Sequence, residues 1–199
     1  MSRQYVIPII TRHSLYFLDA FQCTHLYSNS SFPTHFPGNG NFTVWDAKQQ
    51  NVHSACRVEP YSSDDVAHIL GVILDTSCNF AVKSGGHARN PDDSVSVGGI
   101  TIDLQRMRST KVSSNHNTVT LGAGHVLHSI YADLERYNLT TLGGRAGDVG
   151  LGGFTLGGGF SHLSPVYGLA MDNVFEYEVW QLSFFIILVP MLQYAYQCG

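Results

Sequence analysis

A histidine at the end of a glycine turn is the first residue that could carry chemistry. The segment Ser84–His87 reads SGGH and follows the apolar run Phe80–Val82 with only Lys83 between them. Its two glycines let the backbone adopt positive φ angles and approach another molecule closely. A neutral imidazole nitrogen is a competent nucleophile near neutral pH. This stretch alone leaves two interpretations open, a turn that approaches another molecule closely and a glycine-rich turn with a solvated histidine.

A second segment, Leu142–Ser161, is even richer in glycine. It reads LGGRAGDVGLGGFTLGGGFS, and nine of the seventeen positions from 143 to 159 are glycine. Each glycine inside a helix or strand costs about 0.5–1 kcal/mol relative to alanine, so we expect neither a good helix nor a plain strand here. The segment predicts either tight turns where elements cross, or a main chain that directs N–H groups at a flat or phosphorylated ligand.

Two familiar nucleotide-binding fingerprints are absent from the sequence. The P-loop pattern G-x-x-x-x-G-K-[ST] does not occur, and Thr155 stands where G-x-G-x-x-G, started at Gly150, needs its last glycine. A Rossmann fold is therefore not expected. Lys83, Arg89 and Arg145 lie near the two glycine segments in sequence, either to balance phosphate charge or as ordinary surface cations.

The composition limits the size of the core and the kinds of partner. A chain of 199 residues that is 44% hydrophobic can bury one sizeable core or two small ones. A net charge of -4 argues against a nucleic-acid partner. The four cysteines form no C-x-x-C pair, so no metal site is expected.

The pattern of apolar residues predicts strands and two helices in mixed order. The predicted strands are Cys56–Pro60, Phe80–Val82, Ile100–Leu104, Asn117–Gly124 and Asn173–Val179. One helix starts at Ser62 or Ser63, with Val66, Ile69, Leu70, Ile73 and Leu74 on one face. The other covers His125–Leu139, with Leu127, Ile130, Tyr131, Leu134 and Tyr137 on one face. This order lacks the regular βαβ repeat of a doubly wound sheet and predicts an α+β fold.

The two ends of the chain differ from its centre. Residues 1–51 are expected to form an irregular N-terminal region, residues 52–179 the main domain, and residues 180–199 an aberrant hydrophobic tail. The tail's densest apolar run, Leu182–Leu192, has about half the ~20 residues that a transmembrane helix needs, and Pro190 interrupts it. A buried element or an aberrant chain end is favoured, and a membrane tether is the less favoured alternative.

These segments together resemble a known family. The motifs FAVKSGGHARN, GGITIDLQRM, VTLGAG and LTTLGGRAGDVGLGGFTLGGGFSHLSPVYGLAMDNVFEYEV, in this order, are similar to the FAD-binding domain of the p-cresol methylhydroxylase (PCMH) type. That domain belongs to the vanillyl-alcohol oxidase superfamily, and the most similar branch is the berberine-bridge-enzyme-like FAD-linked oxidases. The resemblance implies two small α/β subdomains of mixed sheet with surrounding helices, and FAD as the cofactor.

The resemblance assigns roles to residues of both glycine segments. It implies that Ser84–Ala88 wraps the FAD pyrophosphate and that His87 bonds covalently to the 8α-methyl group of the flavin. The full set of implied cofactor-binding residues is Lys83, Ser84, Gly85, Gly86, His87, Ala88, Gly143, Gly144, Arg145, Val149, Gly150, Gly152, Gly153, Gly158 and Val179.

The same resemblance bears on the cysteines and on a second flavin bond. Some members attach the flavin a second time through a cysteine, but Ala146 stands at that position, so we expect a single bond. The resemblance also implies a disulfide between Cys23 and Cys78, which would leave Cys56 as a buried free thiol and Cys198 outside the pattern.

The family implies an oxidase activity for the whole protein. A small-molecule substrate would pass a hydride to flavin N5, and O2 would reoxidise the flavin and yield H2O2. In the family, a separate substrate domain supplies the catalytic base, and residues 180–199 do not resemble it. No catalytic residue is therefore assigned in this chain. The chain is expected to be truncated and inactive alone. The alternatives are a non-catalytic or unstable FAD-binding fragment and a membrane-tethered flavin domain.

Secretion is expected on modest grounds. Glycosylation sequons begin at Asn29, Asn41 and Asn138, and the implied disulfide also suits an oxidising compartment. Against this, the apolar N-terminal stretch is interrupted by Thr11–His13 and has no A-x-A-like cleavage site.

Overall fold

Two four-stranded sheets organise the computed structural model, which describes residues 22–38, 42, 44–182 and 185–197. The strands are β1 Thr34–His35, β2 Cys56–Val58, β3 Phe80–Lys83, β4 Ile100–Asp103, β5 Thr110–Val112, β6 Thr118–Gly122, β7 Leu139–Thr140, β8 Val174–Leu182, β9 Phe185–Tyr194 and β10 Tyr196–Gln197. The helices are α1 22–29, α2 Ala47–Gln50, α3 Ser63–Thr76, α4 Leu127–Glu135, α5 Leu151–Leu156 and α6 Ser164–Tyr167, with 3-10 turns at Leu104–Arg106 and Ala170–Asn173.

The first sheet has the order β1-β2-β4-β3. Strands β2, β4 and β3 are parallel, and β1 is antiparallel to β2. Parallel strands end at the same edge of a sheet, so the chain leaves β3 and β4 side by side, where Lys83 pairs with Asp103. The SGGH turn therefore starts at the carboxyl edge of this sheet.

Helix α3 packs on the first sheet and begins where the sequence predicts. Ser62 and Asp65 form a reciprocal capping box, which fixes the N-terminus of the helix. The buried face consists of Val66, Ile69, Leu70 and Ile73. Leu74, predicted on the same face, is 54% exposed because it lies at the edge of the apolar stripe.

The second sheet is antiparallel, in the order β5-β6-β9-β8. Helix α4 packs on it, and the buried Leu127, Ile130 and Leu134 join Val119 and Leu121 of β6 in a second core. The helix ends at Glu135, so Tyr137, predicted on its apolar face, is half exposed. The mixed first sheet, the antiparallel second sheet and the helices around them confirm the predicted α+β class.

The apolar segment after Val179 is placed in this second sheet. Strand β8 continues to Leu182, and β9 inserts between β8 and β6. Within the part of the chain that the structure describes, no helix is long and apolar enough to cross a membrane. The division at residue 180 and the aberrant nature of residues 180–199 stay predictions.

Two short helices lie in the described part of residues 1–51, where the sequence predicts irregular structure. Residues 22–29 are helical and α2 follows at Ala47–Gln50. Cys23 and Leu26 of α1 are fully buried in the first core, so tertiary packing stabilises this helix. The helix is too short for its apolar residues to form a clear helical pattern in the sequence. Asp46 caps α2 by accepting a hydrogen bond from the Lys48 N–H at 2.8 Å.

The predicted pairing of Cys23 with Cys78 is wrong. Cys23 is bonded to Cys56, with 5.8 Å between their Cα atoms. Cys56 opens β2 beneath α1, whereas Cys78 follows the C-terminus of α3. Cys56 is therefore not a free thiol, and Cys78 keeps its thiol, with Sγ 3.2 Å from the Asn79 carbonyl oxygen.

Candidate functional site

The two glycine segments line one cavity of about 400 Å³. The predicted residues that line it are Ser84, Gly85, Gly86, His87, Ala88, Val149, Gly150, Gly152 and Gly153. One segment leaves the first sheet after β3, and the other leads into α5 beside the second sheet. The fold thus joins two stretches that are more than sixty residues apart in sequence.

The two segments cross in direct backbone contact at Gly85 and Gly150. A Cβ atom added to Gly85 would lie 2.7 Å from the Gly150 Cα atom and 2.8 Å from the Asp148 carbonyl oxygen. Real Cβ atoms do not approach backbone so closely, so both residues must lack a side chain. This explains part of the glycine content: the chains cross where the cavity is formed.

The hydroxyl of Ser84 stabilises this crossing through two hydrogen bonds. Its Oγ donates to the Ala123 carbonyl oxygen at 2.5 Å and accepts from the Gly152 N–H at 3.3 Å. Ser84 therefore links β3, the turn after β6 and the first turn of α5. The site is held by both halves of the fold.

Helix α5 corrects the expectation that Leu142–Ser161 contains no helix. Residues Leu151–Leu156 form a six-residue helix despite two internal glycines. Leu151 and Thr155 are fully buried, and this packing outweighs the low intrinsic propensity of glycine.

His87 lies at the cavity wall between two other side chains. Its ring stacks on the indole of Trp45, with centroids 4.4 Å apart and planes inclined by 12°. Its Nε2 atom lies 3.6 Å from Oδ1 of Asp148, whose side chain is 63% exposed. His87 itself is 25% exposed, so the ring is held but accessible.

Lys83, predicted to bind the cofactor, is not among the residues that line the cavity. Its Nζ atom lies 3.0 Å from Oδ1 of Asp103, and the side chains of both residues are buried. Arg57 contacts the same carboxylate at 3.1 Å. The alternation of β3 directs Lys83 inward, so its ammonium group serves a buried ion cluster.

Glu59 completes this ion cluster. Burial opposes its charge, but the hydrogen bond from Arg106 and the charges of Arg57, Arg106 and His35 outweigh burial and lower the pKa of Glu59. The lowered pKa keeps Glu59 ionised at neutral pH, and the cluster anchors the end of β3, from which the SGGH turn departs.

Five other predicted residues do not line the cavity. These are Gly143, Gly144, Arg145, Gly158 and Val179. Gly144 lies under the ring of Phe154, because a Cβ atom there would be 3.2 Å from Phe154 Cε2. Arg145 and Val179 are exposed, and Arg89 is 78% exposed with Nε 4.0 Å from Asp46. The predicted roles of these residues remain predictions.

Several lining residues were not predicted. They are Val82, Asp93, Ser94, Leu104, Ala123, Phe154 and Leu156. Their apolar members lie at strand ends or in α5, and nothing in their local sequence marks them as cavity residues. Five glycines of the two segments add bare main chain to the wall, so the cavity suits a ligand with a flat apolar part and an anionic part.

A family model described as an FAD binding domain matches residues 54–182. The FAD-dependent monooxygenase tpcD of Cochliobolus heterostrophus is 38% identical over 157 residues, which cover 78% of this chain and 30% of that protein. The FAD-dependent monooxygenase FUP4 of Fusarium proliferatum is 41% identical over 135 residues, 68% of this chain and 26% of that protein. The chain thus spans less than a third of the length of these relatives.

Solved structures share the fold at low identity. BBE-like 1 of Physcomitrella patens matches with a TM-score of 0.76 and 16% identity, over 88% of this chain and 44% of that chain. A glucooligosaccharide oxidase of Acremonium strictum, described with a 6-S-cysteinyl, 8α-N1-histidyl FAD, matches with a TM-score of 0.73 and 18% identity, over 90% and 43%. These matches confirm the predicted PCMH-type, non-Rossmann fold.

Proposed function

The chain belongs to the FAD-binding domain family, and from this premise we propose that its cavity holds FAD, with the pyrophosphate along Ser84–Ala88 and Gly150–Gly153. The observation that carries the proposal is the crossing of these two segments, which places bare backbone and His87 around one cavity. Bound FAD supplies a ring that accepts a hydride at N5 and passes electrons on to O2.

The residues at the cavity fit this ligand. A volume of about 400 Å³ lies in the ordinary range of small-molecule sites. Phe154 and Leu104 offer apolar surface to a flat ring, and main-chain N–H groups offer donors to anionic oxygens. Because Lys83 is engaged with Asp103, the phosphate charge would be met mainly by backbone dipoles.

We further propose that His87 bonds covalently to the flavin. An imidazole nitrogen of His87 would replace one hydrogen of the 8α-methyl group, and the two protons and two electrons released would pass through the ring to O2. The accessible edge of His87 supports this role. Ala146 supports a single bond, since its methyl side chain offers no thiol for a second one.

For the whole protein we propose an oxidase that takes a hydride from a small molecule and reduces O2 to H2O2. Leu156 lines the cavity and is 64% exposed, which supports a further body of protein that covers this apolar surface. The alternative is an FAD-binding domain without catalysis of its own. Peroxide release with an added alcohol or sugar would separate the two.

Secretion stays part of the proposal. Asn29 and Asn138 are exposed, as glycan acceptors must be, and Asn41 lies outside the described residues. Expression in a eukaryotic secretory host should give a protein whose electrophoretic mobility changes after treatment with an N-glycosidase. An unchanged mobility would remove this support.

Acid denaturation tests the flavin assignment. The chain is expressed, loaded with FAD and precipitated in acid, and flavin absorbance and fluorescence are followed in the pellet and the supernatant. We expect acid-stable flavin in the wild-type chain and in the control His116→Ala, an exposed histidine distant in sequence, and only released flavin in His87→Ala. A folded chain that retains no FAD in any form would contradict the proposal.

A further inference from the structure

Residues 44–50, which precede the matched family region, contact the SGGH turn at several points. We propose that this 44–50 segment positions His87 for bond formation with the flavin, with Trp45 as the residue that holds the imidazole ring. The inference rests on the proposed function. It goes beyond it by assigning a role to residues outside the 54–182 match.

Trp45 holds both the ring and the backbone of the turn. Its indole lies parallel to the imidazole of His87 at 4.4 Å, and its backbone N–H donates to the Gly86 carbonyl oxygen at 3.0 Å. One residue thus fixes the plane of the ring and the peptide that precedes it. The next residue, Asp46, caps α2 and so fixes the course of the segment.

Gln49 holds the other side of the turn. The side chain is fully buried, its Nε2 donates to the Ala88 carbonyl oxygen, and its Oε1 accepts from the Ser94 N–H at 3.0 Å. Both Ala88 and Ser94 line the cavity. The donor and the acceptor of this buried amide are both hydrogen-bonded, so the side chain has little freedom to move. His87 is therefore flanked by two fixed peptides.

Asp148 restrains the ring from the opposite segment. Its carboxylate faces Nε2 of His87 at 3.6 Å, while the indole of Trp45 covers one ring face. The imidazole thus has an aromatic neighbour on one face and a carboxylate at its Nε2 edge. Holding a nucleophile in one orientation removes much of the entropy cost of the reaction, and displacement by about 1 Å can cost about 100-fold in rate.

The exposure of Trp45 indicates that its role is not core packing. The residue is 51% exposed, which leaves half of a large apolar ring in solvent. Truncation of such a side chain is expected to leave the fold intact. Its effect should therefore be confined to His87.

The test measures how fast acid-stable flavin forms when FAD is added to the flavin-free chain. We expect Trp45→Ala to slow bond formation about tenfold or more, with total bound FAD within about twofold of wild type. Trp45→Phe, which restores an aromatic face, should recover most of the rate. Tyr137→Ala is the matched control, because Tyr137 is 49% exposed and contacts His116 edge-on at 5.9 Å.

A second readout needs no flavin. In the flavin-free chain, the ring protons of His87 should resonate upfield because of the indole ring current, and Trp45→Ala should abolish that shift. Wild-type bond formation in Trp45→Ala, or ring protons that do not move, would overturn the inference while the proposed function stood. A wild-type chain that binds FAD but never forms an acid-stable bond would refute the proposed attachment, and the inference with it.

Discussion

Replacing Gly85 by alanine tests whether the crossing of the two glycine segments is as tight as the structure shows. The added methyl group would lie 2.7 Å from the Gly150 Cα atom and 2.8 Å from the Asp148 carbonyl oxygen. Both neighbours are backbone, which cannot rotate away as the end of a side chain can. One of the two segments must therefore shift.

The expected magnitude follows from the cost of overpacking. Inserting a methylene-sized group into a well-packed site costs typically about 1–3 kcal/mol in the free energy of unfolding. For a chain of this size, each kcal/mol lowers Tm by roughly 2–4 °C. A shift of the crossing also moves Ser84–Ala88, so FAD affinity should fall along with stability.

The assay combines thermal unfolding with FAD titration for two matched variants. A Cβ atom at Gly153 would meet nothing within 4 Å, and Gly153 lines the same cavity. Gly153→Ala should keep or slightly raise Tm, because alanine is favoured over glycine in a helix by about 0.5–1 kcal/mol. The reasoning is refuted if Gly85→Ala unfolds at the wild-type Tm and binds FAD with the wild-type Kd.

Three further predictions concern the rest of the domain. Lys83→Met should lower the free energy of unfolding by on the order of 3 kcal/mol, because Asp103 loses a buried partner. Urea denaturation measures this change, and an unchanged midpoint would contradict the stabilising role of the ion cluster. Burial lowers the pKa of His125, so the unfolded chain binds a proton more readily and the free energy of unfolding should fall as pH drops below about 6.5. This dependence of stability on pH should be weaker in His125→Gln, and an equal dependence would contradict the role given to His125. Peptide mapping should find the disulfide kept in Cys78→Ser and lost in Cys56→Ser, and the reverse result would restore the pairing first expected.

Features encoded by short-range signals were predictable from the sequence. Helix α3 starts at Ser63 because a capping box and acidic first-turn residues lie next to each other in the chain. The SGGH turn and the Leu142–Ser161 segment could be singled out because glycine density is visible without a structure. Both segments line one cavity, which agrees with a main chain that approaches a ligand closely. The same finding also agrees with tight turns where two elements cross.

Features that depend on distant pairing were not predictable. Lys83 lies near the glycine turn in sequence, but its strand register places it opposite Asp103 and turns its charge inward. The cysteine pairing depends on α1 lying over β2, which no local pattern indicates. The apolar run around Pro190 lacks alternation, and its place beside Gly122 of β6 follows only from the assembled sheet.

Peptide mass mapping of the FAD-loaded chain tests the central claim most directly. The account predicts that one proteolytic peptide, the one that contains His87, carries the mass of flavin, and that this modification is absent from His87→Ala. Flavin on another residue, or a fully loaded wild-type chain whose His87 peptide is unmodified, would contradict the account.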